Sequence, residues 1–229
     1  MRLSFVVFAL TFAVLSGPAQ TMKFVETPSL QPMVKEGKLP PVNQRLPAEP
    51  YISLLEESGR KVGRHGGTLN TLMARSKDVR LMVVYGYARL VKFNRKLELE
   101  PDILKKIDVE KGRIFTFYLR RGHKWSDGHP FTTEDFRYYW EDVANHDMLA
   151  PTGPPKTLRV EGELPKVTII DKFTIRYTWS KPNPSFLPSL AGARPFYIYR
   201  PAHYLRKYHA RYKNAAKLNA KAKQKGQRN

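Results

Sequence analysis

The chain has 229 residues, of which 41% are hydrophobic and 12% aromatic, enough apolar material for a packed core. It contains no cysteine, which excludes disulfide staples, thiol catalysis, cysteine-ligated zinc and a lipid anchor on an N-terminal cysteine. Forty Lys and Arg against 20 Asp and Glu give a formal charge of +20, which invites a nucleic-acid reading, but the distribution argues against it. Ten of the basic residues lie between Arg200 and Asn229 and no acid follows Asp171, so one tail carries half the excess.

Met1 and Arg2 open the chain, an apolar run follows from Leu3 to Leu15, and Ser16-Gly17-Pro18-Ala19 ends it, the order of a secretory signal. The small residues Gly17 and Ala19 place the cut before Gln20. Thirteen residues make about 20 Å of helix, short of the ~30 Å hydrocarbon core, so a cleaved signal is expected and a membrane anchor is not. From Lys23 to Glu49 the chain is rich in proline, and an extended leader that wraps a surface is expected over residues 20–65. A short helix around Ser53–Ser58 precedes the turn-forming Gly59, Gly63, Gly66 and Gly67.

Thr68–Ala74 alternates as a strand would, Val83–Leu90 suits a helix, and Leu90–Phe93 ends at an Asn94-Arg95 turn. Lys105–Val109 and Arg113–Leu119 flank Glu110-Lys111-Gly112, a hairpin signal. Apolar groups on both faces of the second strand predict cover on both sides. Residues 121–130 read as loop. Thr132 then opens a helix that it can cap from its hydroxyl while the Asp135 carboxylate reaches back, an acid variant of the capping box. Phe136, Tyr139, Trp140 and Val143 continue as an apolar stripe. A proline-rich connection from Met148 to Pro155 leads to a second hairpin, Val167–Ile170 and Phe173–Trp179 around Asp171-Lys172, which Pro182 and Pro184 terminate. Phe186–Leu190 suits a helical turn, and Tyr204, Leu205, Tyr208 and Tyr212 suit a basic helix whose tyrosines seat on a core. The lysines from Lys213 onward read as a solvated face or a disordered end.

Chemistry-bearing patterns are sparse. His123, Asp127 and His129 fall within seven residues, but two histidines six apart do not share a helical face and no second ligand cluster has zinc spacing. The expectation is a turn at Asp127-Gly128, Trp125 plugging the core edge, and histidines facing solvent. There is no G-x-S-x-G elbow and no phosphate-cradling loop, and His65-Gly66-Gly67 supplies backbone freedom before a strand rather than an oxyanion loop. No catalytic residue, metal or cofactor is expected.

Four segments in order resemble one family: Gly66-Gly67-Thr68-Leu69, Phe115-Thr116-Phe117-Tyr118-Leu119-Arg120-Arg121-Gly122, Lys124-Trp125-Ser126-Asp127-Gly128, and Pro130-Phe131-Thr132-Thr133-Glu134-Asp135-Phe136. The resemblance is to the dipeptide- and oligopeptide-binding type of extracellular solute receptors for ABC importers, solute-binding family five. Asp171-Lys172-Phe173-Thr174 with Lys181-Pro182-Asn183-Pro184 extends it to about Tyr204, and Lys35–Val42 with Arg45-Leu46-Pro47 resembles the leader of a longer subgroup, some of whose members take up α-galactosides.

The resemblance implies an α/β fold, here an incomplete first lobe of a two-lobed periplasmic binding protein with a mixed sheet and flanking helices. It implies a peptide or oligosaccharide solute, an inner-membrane ABC permease and a monomer, and it gives the Trp125 loop a structural role away from solute. The divisions expected are a signal at 1–19, the leader at 20–65, a partial first-lobe domain at 66–205 and a basic tail at 206–229. The family is longer than this chain, so a truncated sequence with poor solubility alone is expected. Solute contacts are expected between Ala74 and Asp78, at Arg75, Ser76 and Asp78, and at Tyr85 and Tyr87. A small nucleic-acid-binding protein is the rival reading, which steep salt dependence would reveal. A secreted hydrolase is a third, which no motif supports.

Overall fold

The structure, a computed structural model, describes residues 24–53, 55, 59–82, 88–192 and 196–227. The predicted export signal, most of the Ser53–Ser58 helix and most of Val83–Leu90 lie outside the described residues. Among these residues six strands run in chain order: β1 (Val91–Phe93), β2 (Leu99–Pro101), β3 (Leu104–Glu110), β4 (Ile114–Leu119), β5 (Lys166–Asp171) and β6 (Thr174–Thr178). Among the described residues six short α-helices flank them: α1 (Gln31–Lys35), α2 (Val42–Arg45), α3 (Thr133–Arg137), α4 (Phe186–Ala191), α5 (Ala202–Leu205) and α6 (Ala215–Gln224). The class is α/β with flanking helices, as expected. Strands β1 and β2 form a small ribbon, and the larger sheet has the order β3-β4-β6-β5. Every pairing between these strands is antiparallel, so the parallel pairs of a mixed sheet are not among the described residues.

Both predicted hairpins are present. Between β3 and β4, Lys111 at φ 52° and Gly112 at φ 63° adopt the consecutive left-handed geometry of a tight hairpin turn, and the Arg113 N–H donates to the Glu110 carbonyl at 3.1 Å. The register aligns Ile107, Phe117, Ile175 and Ile169 across four strands, and beside them Val109, Phe115, Tyr177 and Val167. The ring of Phe186 on α4 closes this apolar face, with centroids 5.2 Å from Phe115, 5.7 Å from Phe117, 5.3 Å from Tyr177 and 4.9 Å from Trp179. Trp179 keeps its polar edge satisfied by donating from Nε1 to the Leu158 carbonyl at 2.9 Å.

The opposite face of β4 is covered too, as expected, but by polar groups around the buried Thr116. Asp108, Thr116, Arg176 and Thr168 share a row there, and Arg176 donates to the Thr116 hydroxyl at 3.0 Å. The sheet is therefore two-sided, one face apolar and one polar.

Thr68–Ala74 is not a strand. It has no pairing partner among the described residues, and Leu69 and Leu72 point into solvent at 71% and 103% exposure. Alternation alone does not hold a strand, because its backbone groups need a neighbour. Gly66 and Gly67 before it do adopt left-handed φ of 111° and 84°, the freedom expected of them.

The leader is not wholly extended either, since α1 and α2 interrupt it. Pro32 sits in the first turn of α1, where its missing N–H costs nothing. The leader lies against the body: the Ala48 N–H donates to the Arg121 carbonyl at 3.1 Å, Lys124 Nζ donates to the Gln44 carbonyl at 2.7 Å, and Glu49 pairs with Lys105 at 2.5 Å.

The C-terminal segment departs from one continuous helix. After α5 a short 3-10 turn (Arg206–Tyr208) ends at His209, whose Nε2 donates to the Asp142 carbonyl at 2.8 Å. That bond draws the chain inward and breaks the helical spacing, so Tyr204 and Tyr208 stay half-exposed while Tyr212 turns inward. Lysine-rich α6 is a helix capped by the Asn214 side chain and buries none of its residues.

Candidate functional site

The loop between β4 and α3 organises this part of the molecule. Gly122 takes φ 79°, and a Cβ there would lie 3.0 Å from the Ala48 nitrogen, so both the turn and the leader's approach require glycine. The Gly128 N–H donates to the Trp125 carbonyl at 2.9 Å and the Trp125 N–H to the His129 carbonyl at 2.8 Å, which closes the Trp-Ser-Asp-Gly turn.

Asp135 is the hub beneath that loop. Its Oδ2 accepts from the Thr132 N–H at 3.0 Å and from Trp125 Nε1 at 3.2 Å, and its Oδ1 accepts from the Ala202 N–H at 3.1 Å. The first of these bonds completes the predicted capping box with the Thr132 hydroxyl. One buried carboxylate thereby ties together loop, α3 and α5. Burial raises its pKa above the usual carboxylate value, against the lowering effect of the Thr132, Ala202 and Trp125 bonds. The Trp125 ring packs on Phe131 and Tyr199, the core-edge plug expected.

The histidines differ from expectation in part. His129 faces solvent as predicted, but its ring stacks on His203 with centroids 3.9 Å apart and planes 2° from parallel. His203 Nε2 lies 2.7 Å from Asp127 Oδ2, and that contact holds the Asp127 carboxyl below its ordinary value. His123 is half-buried against Phe131, and desolvation lowers its pKa. No group of three metal-ligating side chains occurs among the described residues.

A second cluster fixes the C-terminal segment. Asp142 is completely buried, on the π-helical extension of α3 (Tyr138–Ala144). It accepts from Arg211 at 2.5 Å, from Arg137 at 3.0 Å and from the Tyr212 hydroxyl at 2.6 Å. Burial by itself would raise its pKa, but the Tyr212, Arg211 and Arg137 contacts outweigh it and the carboxyl titrates below its ordinary range.

The expected solute contacts fall in a different place. Arg75 precedes a 3-10 segment, Ser76–Met82, that contains Ser76 and Asp78. Arg75 and Ser76 are exposed, and Arg75 Nε lies 3.5 Å from Asp78 Oδ2. Tyr85 and Tyr87 lie outside the described residues, so the five are not seen together.

The concavity that sequence reasoning missed is an open cleft of about 870 Å³ beside the β1–β2 ribbon, lined by Tyr51, Ser53, Lys92, Phe93, Glu98 and Glu100 among others. Lys92 and Glu100 are register partners 3.3 Å apart. The Lys92 ammonium sits 3.7 Å over the Tyr51 ring, whose hydroxyl donates to Glu100 at 3.1 Å. The sequence signal was the cross-strand Lys-Glu pair, legible only once the ribbon register is known.

A family model described as bacterial extracellular solute-binding proteins, family 5 Middle, matches residues 98–226. The periplasmic alpha-galactoside-binding protein of Rhizobium meliloti (strain 1021) is 28% identical over 200 residues, 78% of this chain and 28% of its own length. The periplasmic oligopeptide-binding protein OppA of Escherichia coli (strain K12) is 32% identical over 100 residues, 38% of this chain and 18% of that protein. A solved structure of an oligopeptide-binding protein OppA superposes with a TM-score of 0.72 at 32% identity, over 87% of this chain and 30% of that one. The chain thus spans less than a third of the length of these relatives.

Proposed function

The chain belongs to the bacterial extracellular solute-binding proteins, family 5, and on that premise we propose that it supplies first-lobe sequence to the periplasmic solute-binding component of an ABC importer. The observation that carries this reading is the match over residues 98–226, which takes in the Trp125 loop, the Asp135 hub and the β3-β4-β6-β5 sheet. Its relatives are named for oligopeptides and for alpha-galactosides, so the solute is drawn from peptides and oligosaccharides. In such a receptor solute bridges two lobes and adds to the population of the closed form.

Arg75, Ser76, Asp78, Tyr85 and Tyr87 are our solute contacts: an ion pair, a hydroxyl and two aromatic rings, the mix that orients a polar solute. The exposure of Arg75, 67% even within its pair, supports this assignment because the guanidinium is accessible to a ligand. The Trp125 loop holds the fold and does not touch solute. Residues 1–19 direct export and are removed before Gln20, leaving the leader to 65, the first-lobe domain over 66–205 and the tail from 206. The partner is an inner-membrane permease, and the chain acts as a monomer.

The test is fractionation and N-terminal sequencing, followed by thermal shift of the purified protein with tri- to pentapeptides and with raffinose-type sugars. A periplasmic product beginning at Gln20, whose melting temperature rises with one of the two solute classes and not in the Arg75→Gln, Asp78→Asn variant, supports the reading. A cytoplasmic product that keeps Met1, or a shift that persists unchanged in the Arg75→Gln, Asp78→Asn variant, refutes it.

A further inference from the structure

We propose that the surface formed by α5, the 3-10 turn after it and α6 is a docking surface for an anionic phospholipid bilayer. Six lysines, Lys207, Lys213, Lys217, Lys221, Lys223 and Lys225, are exposed here, and none has an acidic partner among the described residues. The arginines of the same segment differ, since Arg206 pairs with Glu134 and Arg211 with Asp142. The tail therefore divides its cations by chemistry, with guanidinium groups fastening it to the body and ammonium groups left to solvent. Lys217, Lys221 and Lys225 recur every fourth residue and so form one stripe along α6 and its C-terminal end.

Aromatic rings join that stripe to the body. Tyr204 and Tyr208 are 47% and 51% exposed, with centroids 5.6 Å apart. Lys207 lies 5.4 Å from the Tyr204 ring and Lys221 lies 5.8 Å from the Tyr208 ring, so the two tyrosines and the flanking lysines make one continuous patch. Ammonium groups beside amphipathic phenol rings suit the headgroup layer of a bilayer, where tyrosine sits between water and acyl chains and lysine meets lipid phosphate. Single-stranded nucleic acid fits less well. It needs free ring faces for its bases, and here each ring already has an ammonium over it while the pair is tilted at 55°. The compartment in which the bilayer is met rests on the export reading above, but the affinity does not, so the two fail separately.

Vesicle co-sedimentation tests this with the purified chain on phosphatidylglycerol-containing and on pure phosphatidylcholine vesicles. Binding to the first and not the second is expected, weakening as salt rises from about 0.1 M to about 1 M and the screening length falls from about 10 Å to about 3 Å. Each lysine removed should lower the partition about fivefold, so Lys217→Gln, Lys221→Gln and Lys225→Gln together should lower it about a hundredfold. A control with the same loss of charge elsewhere, Lys35→Gln, Lys96→Gln and Lys166→Gln, should change it severalfold less. Equal binding to both vesicle types, as the apolar run Leu3–Leu15 alone would produce, overturns the proposal. So does equal loss in the two triple variants, or tighter binding to a single-stranded DNA oligonucleotide than to the anionic vesicles in the same salt.

Discussion

Replacing Asp142 by Asn keeps the volume of a completely buried side chain and removes its charge. Breaking a buried ion pair by removing one partner costs about 3–5 kcal/mol when the other charge is stranded. Here the stranding is partial. Arg137 retains Glu134 at 2.7 Å and Glu141 at 2.6 Å, and Arg211, 59% exposed, can return to water. The loss therefore falls below that range, at about 2–3 kcal/mol. At roughly 2–4 °C per kcal/mol for a domain of this size, the melting temperature should drop about 4–12 °C at neutral pH.

The acid limb supplies a sign. The folded pKa of Asp142 lies below its unfolded value of about 3.9, so its stabilisation is complete above that value and is lost as pH falls through the folded pKa. The gap between parent and Asp142→Asn, followed by circular dichroism melts, should therefore be constant from pH 7 to about pH 5 and narrow below about pH 4. A variant that melts within a degree of the parent at pH 7, or a gap that does not narrow in acid, would refute the assignment of this carboxylate as the clasp of the C-terminal segment.

Asp135 should behave in the opposite sense. Its pKa is raised, so its contribution is full below the unfolded value of about 3.9 and declines as pH rises through the folded one, and the cost of Asp135→Asn in melts should shrink over that interval. Trp125→Phe removes the Nε1 donor while keeping an aromatic plug, and should cost about 1–2 kcal/mol in urea titration. Phe186→Ala opens a cavity between four aromatic neighbours and should cost about 3–5 kcal/mol by the same measurement. Gly122→Ala and Gly128→Ala both place a side chain at left-handed φ, costing about 1 kcal/mol each. Only the first also meets the leader backbone, so it should be the more destabilised of the two in parallel melts.

The hairpins, the Asp135 cap, the apolar stripe of α3 and the turn at Asp127-Gly128 were legible in the sequence because each is specified within a dozen residues by local rules. What was not legible depends on distant partners. Thr68–Ala74 has the alternation of a strand without the neighbour that makes one. Tyr204, Tyr208 and Tyr212 share helical spacing, but His209 binds Asp142 and breaks the helix between them, which no local pattern announces. The stacked His129–His203 pair joins residues 74 positions apart, and the cleft beside Tyr51 depends on how the leader crosses the β1–β2 ribbon. Of the five residues proposed as solute contacts, Arg75 and Asp78 pair in space, as their spacing in a helical turn allows.

The leader's attachment to the loop after β4 bears on the order in which the molecule assembles. Lys124 reaches Gln44 across 80 positions of chain and Arg120 reaches the Glu49 carbonyl across 71, so these contacts close long loops that contain both hairpin partners β3 and β4. Long closures are entropically slow, whereas a hairpin zips locally in microseconds. The leader around Gln44 and Glu49 is thus the part that docks late, after the sheet it straps already exists. Until then Gly122 and the Arg121 carbonyl wait uncovered.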